Sequence, residues 1–406
     1  MDDGDVPTRI ERVFRAEHAR VVAALARRFG DLDLAEDAAA EALVVALERW
    51  PVDGVPPNPG AWLTTTAAHR AVDRLRREAK RHAKHQAALM IGDPTPHAPT
   101  GPVDDDALRL VFTCCHPALA PEARVALTLR LVAGLTVPEI AQAFLVPETT
   151  MAQRITRAKR KIRDARIPFR VPAREDLAPR LDAVLTVVYL VLNEGYLASS
   201  DGAPVRAELS GEAVRLARLL RQLMPAEPEV TGLLALALLT EARGPARVRD
   251  GVLVPLGEQD RSLWRAELVA EGHELVRECL RAGRPGRYQL LAAVNAVHTD
   301  ASRAEDTDWA QVDALYAQLQ AVDPNPLVAL NRAVAQAELD GPAVALAAVD
   351  RLALTSYHPW HATRADLLRR LGRTAEAAEA YDAAIAATAN TAERAFLARR
   401  RGSLAP

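Results

Sequence analysis

The residues best suited to chemistry lie near the middle of the chain. Thr149, Thr150, Gln153 and Arg154 open a basic segment that continues with Arg157, Lys159, Arg160, Lys161 and Arg163. Threonine, glutamine and arginine hydrogen-bond to base edges in a major groove, while clustered cations hold phosphates without reading sequence. Arg154, Arg157 and Lys161 fall at i, i+3 and i+7, one stripe of a helix, and Ile155, Ala158 and Ile162 form an apolar stripe opposite. Thr149, Thr150, Gln153 and Arg154 are thus placed to read bases, and Arg157, Lys159, Arg160, Lys161 and Arg163 to hold the backbone. The plainer alternative is a helical hairpin with a solvated basic face.

The elements that must position these residues are legible upstream. Thr136 followed by Glu139 makes a capping box, so a helix starts there. Ile140 and Phe144 give it an apolar face, and Ala141 is small where two helices must approach. Leu145, Val146 and Pro147 interrupt the run, and Pro147 suits the first turn of a new helix. A helix, a tight turn and a basic second helix form a helix-turn-helix.

A second basic cluster lies at His69–His85, with seven Lys or Arg against two acids. Its Arg70, Arg74, Arg76 and Arg77 would offer cations to DNA. Alone, such a run is commonly a solvated helix face. Two basic helices in separate small domains would let one protein touch DNA at two places. Further upstream, Asp37 and Glu41 are four apart on one helix face and can present carboxylates to a basic protein surface.

A chain of 406 residues, 49% apolar and poor in aromatics, implies several helical domains. The expected fold class is all-α; Val252-Leu253-Val254 is the only strand candidate. A net charge of −2 makes cations meaningful only where they cluster. Three cysteines (Cys114, Cys115, Cys279), no apolar run of membrane length and an acidic N-terminus point to a cytoplasmic protein that does not enter a membrane. No Walker loop, dinucleotide glycine motif, HExxH or nucleophile elbow is present. Catalytic residues, metal ligands and cofactors are therefore expected to be none, and the adjacent Cys114 and Cys115 are read as buried small hydrophobes.

The expected organisation is a helical domain at 10–90, a proline-rich linker at 91–103, a helix-turn-helix domain at 104–168, a break at 169–180 and a larger helical part at 181–406. Pro51–Gly60 reads as a loop, and Trp62 as a core residue after it. Near the C-terminus, Leu368, Gly372, Ala377, Tyr381 and Ala384 have the spacing of a tetratricopeptide unit. A fainter copy lies 32 residues upstream, where Ala333, Ala345 and Val349 answer Ala365, Ala377 and Tyr381.

Residues 10–167 resemble a sigma factor of the extracytoplasmic-function group, which retains two sigma domains. Residues 35–43 are similar to the helix that binds the polymerase clamp, 62–77 to the segment that melts and reads the minus-ten element, and 135–162 to the reader of the minus-thirty-five element. Ala40 departs from the clamp motif, where glutamine is frequent. Ala68-His69 stands where Arg-Asn is usual, leaving the minus-ten preference open. Phe112–Pro117, Leu192–Tyr196, Glu258–Trp264 and Arg369–Arg373 are similar to a subgroup with a long tetratricopeptide-like C-terminal extension. The resemblance implies core RNA polymerase and promoter DNA as partners. It also implies an extension that takes part in activity control, with a regulatory protein or ligand as its partner. Glu194 and Tyr196 are pocket candidates there, against the simpler reading of a helix end stopped by Gly195. Two other functions fit parts of the chain: a helix-turn-helix regulator with a helical sensor domain, and a tetratricopeptide adaptor. The first leaves Asp37, Glu41 and the 62–77 block unused; the second wastes both basic helices.

Overall fold

The computed structural model describes residues 6–83, 103–144, 146–196, 207–355 and 357–404. The expected linker at 91–103 and Leu145 of the turn lie outside these residues, apart from Val103. The described chain is all-α, with eighteen α-helices and one two-stranded antiparallel ribbon. The ribbon pairs β1 (Val248–Arg249) with β2 (Val252–Leu253), where the short strand was expected. Two compact units divide the chain, residues 1–187 and 188–406.

The first unit begins with α1 (Val6–Phe29), α2 (Leu32–Asp53) and α3 (Pro59–Ala83). The Asp31 carboxylate caps α2 by accepting from the amides of Asp33 and Leu34 at 2.8 and 3.1 Å. Asn58 does the same for Ala61 at 3.0 Å, ahead of Pro59 in the first turn of α3. α2 runs through Pro51 to Asp53, so the expected loop begins later than the proline implied; the ring is tolerated in the frayed last turn. Trp62 is half-buried and packs edge-on against Trp50, ring centres 5.2 Å apart, which supports its reading as a packing residue.

Then come α4 (Val103–Cys114), α5 (Pro121–Leu127), a π-helical turn at Thr128–Val132, α6 (Val137–Ala143) and α7 (Glu148–Asp164). Cys114 and Cys115 are fully buried, and burial pushes the Cys115 thiol up to about 11. The expected break at 169–180 is partly helical: α8 (Arg174–Tyr196) starts inside it and carries Pro179 in its second turn.

The second unit takes up the end of α8 and adds α9 (Ala207–Leu223), α10 (Pro228–Ala242), α11 (Ala266–Ala282), α12 (Arg287–Asp300), α13 (Trp309–Val322), α14 (Pro326–Leu339), α15 (Pro342–Val349), α16 (His358–Arg370), α17 (Thr374–Ala387) and α18 (Thr391–Gly402). Gly195 lies inside the last turn of α8, where it allows close approach and does not stop the helix. A Cβ there would stand 2.3 Å from the Ser210 amide of α9. The hairpins α14–α15 and α16–α17 repeat at the offset read from the sequence, since Pro326 and Pro342 precede His358 and Thr374 by 32 residues. Ala333, Ala345, Val349, Ala365, Ala377 and Tyr381 share one core. Gly372 turns the second hairpin at φ +74°, a conformation other residues adopt with strain.

Candidate nucleic-acid interface

The capping box forms as expected. Glu139 Oε2 accepts from the Thr136 amide at 2.6 Å, and the Glu139 amide donates to Thr136 Oγ1 at 3.3 Å. Burial raises the Glu139 carboxyl, but the two Thr136 bonds and Arg15 outweigh it, so it sits below the ordinary range. Ile140 and Ala141 are buried on α6, and Pro147 directly precedes α7. Met151, Ile155, Ala158 and Ile162 anchor α7. That leaves Thr149, Thr150, Gln153, Arg157, Arg160 and Lys161 exposed, with Arg154 half-buried beside them. Arg157 is steadied by Gln153, donating to its side-chain oxygen at 3.4 Å. The N-terminal turns of α7 therefore offer a polar and cationic face fixed by an apolar one.

Lys159 is different. It extends along the flank of the buried stripe, four residues after Ile155 and three before Ile162, and meets α2. There its ammonium pairs with Glu36 and, at 2.8 Å, with Asp33. Arg130, in the π-helical turn, joins Glu36 from the other side. Burial pulls the Lys159 ammonium down, but the two carboxylates more than offset that and hold it above its ordinary value. Arg15 of α1 pairs with Glu139 at 2.5 Å, and Arg27 of α1 with the buried Asp106 of α4 at 3.1 Å. A seam of ion pairs, buried or half-buried apart from the exposed Asp33, thus joins α1–α3 to α4–α7. Asp33, Glu36 and Arg130 were missed by sequence reasoning. The i, i+3 acid pair on α2 was their only local signal.

On α3, Arg70, Arg76 and Arg77 are exposed, Arg77 donating to the Asp73 carbonyl at 3.3 Å. Arg74 instead reaches back and pairs with Asp37 of α2. One residue expected at DNA and one expected at polymerase therefore meet each other. Glu41, one turn further along α2, is half-buried.

Known proteins match this sequence domain by domain. Residues 13–81 match the family model described as Sigma-70 region 2, and residues 109–162 that of Sigma-70, region 4. A probable ECF RNA polymerase sigma factor, SigI, of two Mycobacterium tuberculosis strains is 30% identical over 178 residues, covering 42% of this chain and 60% of that protein.

The chain carries the region 2 and region 4 domains of the sigma-70 family.

It is an RNA polymerase sigma factor, and its region 2 and region 4 domains imply binding to core polymerase and promoter DNA. The sigma factor family is, in general, not one of enzymes. Residues 180–280 of this sigma factor match a family of unknown function (DUF6596). An uncharacterized protein, R00370, of Rhizobium meliloti (strain 1021) is 44% identical over 363 residues, spanning 87% of this chain and 86% of that protein. The likeness thus runs well beyond the two sigma regions. No solved structure matches. Among the described residues no helix is long and apolar enough to cross a membrane, and no three His, Cys, Asp or Glu side chains gather as for a metal ion.

Proposed function

We propose that this sigma factor reads the minus-thirty-five element with Thr149, Thr150, Gln153 and Arg154, and grips the adjoining phosphates with Arg157, Lys159, Arg160 and Lys161. The observation that carries this is the exposed polar face at the start of α7, held rigid by Met151, Ile155, Ala158 and Ile162. Arg70, Arg74, Arg76 and Arg77 of α3 serve the minus-ten element, where melted strands need cations. Asp37 and Glu41 dock on the polymerase clamp. The working domains are 10–90 and 104–168, joined by the linker at 91–103, with the extension at 181–406 following 169–180. The protein acts in the cytoplasm, where its polymerase is, and the extension holds a regulatory ligand or protein.

Two of these assignments require a rearrangement. Lys159 must leave Glu36 and Asp33 to reach a phosphate, and Asp37 must exchange Arg74 for the clamp. The DNA- and polymerase-bound factor therefore opens the seam between its two sigma domains.

Run-off transcription tests the assignment. Arg154→Ala removes a contact worth roughly 1–3 kcal/mol and relaxes sequence preference. Lys159→Ala acts evenly across promoters, because phosphate contacts carry no base identity. Wild-type output and preference in both variants would remove α7 as the reader. In a core-enzyme titration, Asp37→Arg with Glu41→Arg abolishes binding while the helical circular dichroism is retained; unchanged affinity would remove α2 as the docking helix.

A further inference from the structure

Most arginines of the second unit meet an acid. Arg218 pairs with Glu271, Arg221 with Glu278, Arg332 with Asp313, Arg364 with Asp350 and Arg370 with Glu338. Of those for which no such pair forms among the described residues, Arg243 and Arg247 are the most deeply buried. Arg243, at the C-terminal end of α10, and Arg247, one short 3₁₀ turn later, are each 5% exposed. Neither forms an ion pair with a carboxylate among the described residues. Arg243 donates to the Asn295 side-chain oxygen at 2.6 Å and to the Leu239 carbonyl at 3.3 Å, both neutral acceptors. Arg247 stacks on the Tyr196 ring, its guanidinium carbon 3.1 Å from the ring centre, and its buried Nε has no hydrogen-bond partner. Arg243 addresses the same ring from 5.7 Å.

The surroundings supply little negative charge. Glu393 is the acid whose field reaches Arg247, but its carboxylate already accepts from Thr388 at 2.8 Å and lies 3.7 Å from His358. Tyr316, beside Arg243, is a buried phenol that burial pushes up to about 12, so it stays neutral. His298 is pushed down to about 4, by burial first and then by Arg243 and Arg261, and adds no charge of its own at neutral pH. Burial lowers Arg243 to about 10 and Arg247 to about 9, a measure of how poorly the site tolerates two bare cations. A buried charge without a partner is costly, and an anion from outside would relieve that cost. Guanidinium groups present donors in a fixed fork that fits the oxygens of a carboxylate or a phosphate.

We propose that Arg243, Arg247 and the Tyr196 ring form a binding site in the C-terminal extension for a small ligand bearing a carboxylate or phosphate group. Tyr196 holds the Arg247 guanidinium flat, Asn295 fixes the Arg243 fork, and the remaining N–H groups receive the oxyanion. The site is independent of the DNA-reading assignment, since it uses none of the residues of α2, α3 or α7.

Thermal unfolding of the full-length protein tests it, in sodium phosphate, sodium succinate and sodium chloride at equal ionic strength. Anything that binds only the folded state raises the midpoint. Phosphate or succinate at 10–20 mM, on the order of a hundredfold above a sub-millimolar dissociation constant, should raise it by roughly 4–8 °C over chloride. The anion with the larger effect identifies the ligand group. Arg243→Gln and Arg247→Gln should each abolish the gain, while Arg373→Gln, on an exposed arginine paired with Glu376, should keep it. A wild-type protein that responds to neither anion, or a gain that survives both substitutions, would overturn the proposal. Should either variant fail to fold, dicarbonyl labelling of the wild-type protein decides. The anion must slow modification of Arg247 and leave Arg373 unchanged; equal rates at Arg247 with and without it would also overturn the site.

Discussion

Two places in the molecule, one in each unit, treat buried charge in opposite ways. In residues 1–187, Glu36 is 8% exposed and is met by both Lys159 and Arg130, and Asp106 is 3% exposed and is met by Arg27 and Arg109. In residues 188–406, the buried Arg243 and Arg247 meet an aromatic ring and an amide. Completed ion pairs such as those of the first unit fix one arrangement of two helical groups, and they cost stability when one partner is removed. Buried cations without acids fix nothing by themselves; they leave a place for something else. On the readings proposed above, the first unit must break such pairs to act, whereas the second need only be filled.

The largest way to break this comparison is at Glu36. Glu36→Ala leaves Arg130 without an acid and Lys159 with Asp33 alone, and should lower the stability of the first unit by about 3–5 kcal/mol. Adding Lys159→Met should recover part of that loss. Urea unfolding measures both, and a loss under about 1 kcal/mol for the single change would make the seam a surface contact.

The next effect depends on pH. The folded His298 binds its proton only near pH 4, against 6.5 for the free side chain. Between those values the unfolded chain takes up a proton that the folded chain refuses, so stability falls as pH falls. The contribution reaches about 3 kcal/mol near pH 4. His298→Asn should flatten the acid limb of the second unit's stability profile; an unchanged limb would mean that His298 is not held neutral in the folded chain.

The smallest effect sharpens the contrast by its sign. Arg247→Met removes a cation that has no acid, and without added anion it should raise stability by roughly 1–2 kcal/mol. A loss larger than about 2 kcal/mol would show that stacking on Tyr196 outweighs the buried charge.

Helix α7 and its partner α6 were legible because several local signals agree on them. Thr136 and Glu139 cap α6, Ala141 allows a close approach, Pro147 starts α7, and the apolar stripe has one period. The destination of Lys159 was not legible. A lysine on the edge of an apolar stripe reads as solvated until the acids of another helix are known to face it, and Asp33 and Glu36 lie over 120 residues away. Pro51 and the 169–180 segment read as breaks because proline discourages a helix locally, yet tertiary packing carries α2 and α8 through. Arg243 and Arg247 left no trace at all. They sit in a stretch of balanced charge, and what makes them notable comes from Tyr196, Asn295 and Glu393, far apart in sequence.

The engagement of Lys159 with α2 bears on how salt governs promoter binding. A cation that meets a phosphate normally releases a condensed counterion, and each such contact steepens the fall of affinity with salt by about 0.9 in the double-logarithmic slope. Lys159 is already neutralised by Asp33 and Glu36, so reaching DNA exposes two carboxylates that gather cations from solution. Its net release is close to nil, and added salt weakens the closed seam along with the complex. The factor should therefore show a gentler salt dependence than its number of phosphate contacts implies, holding promoters over a wider range of ionic strength.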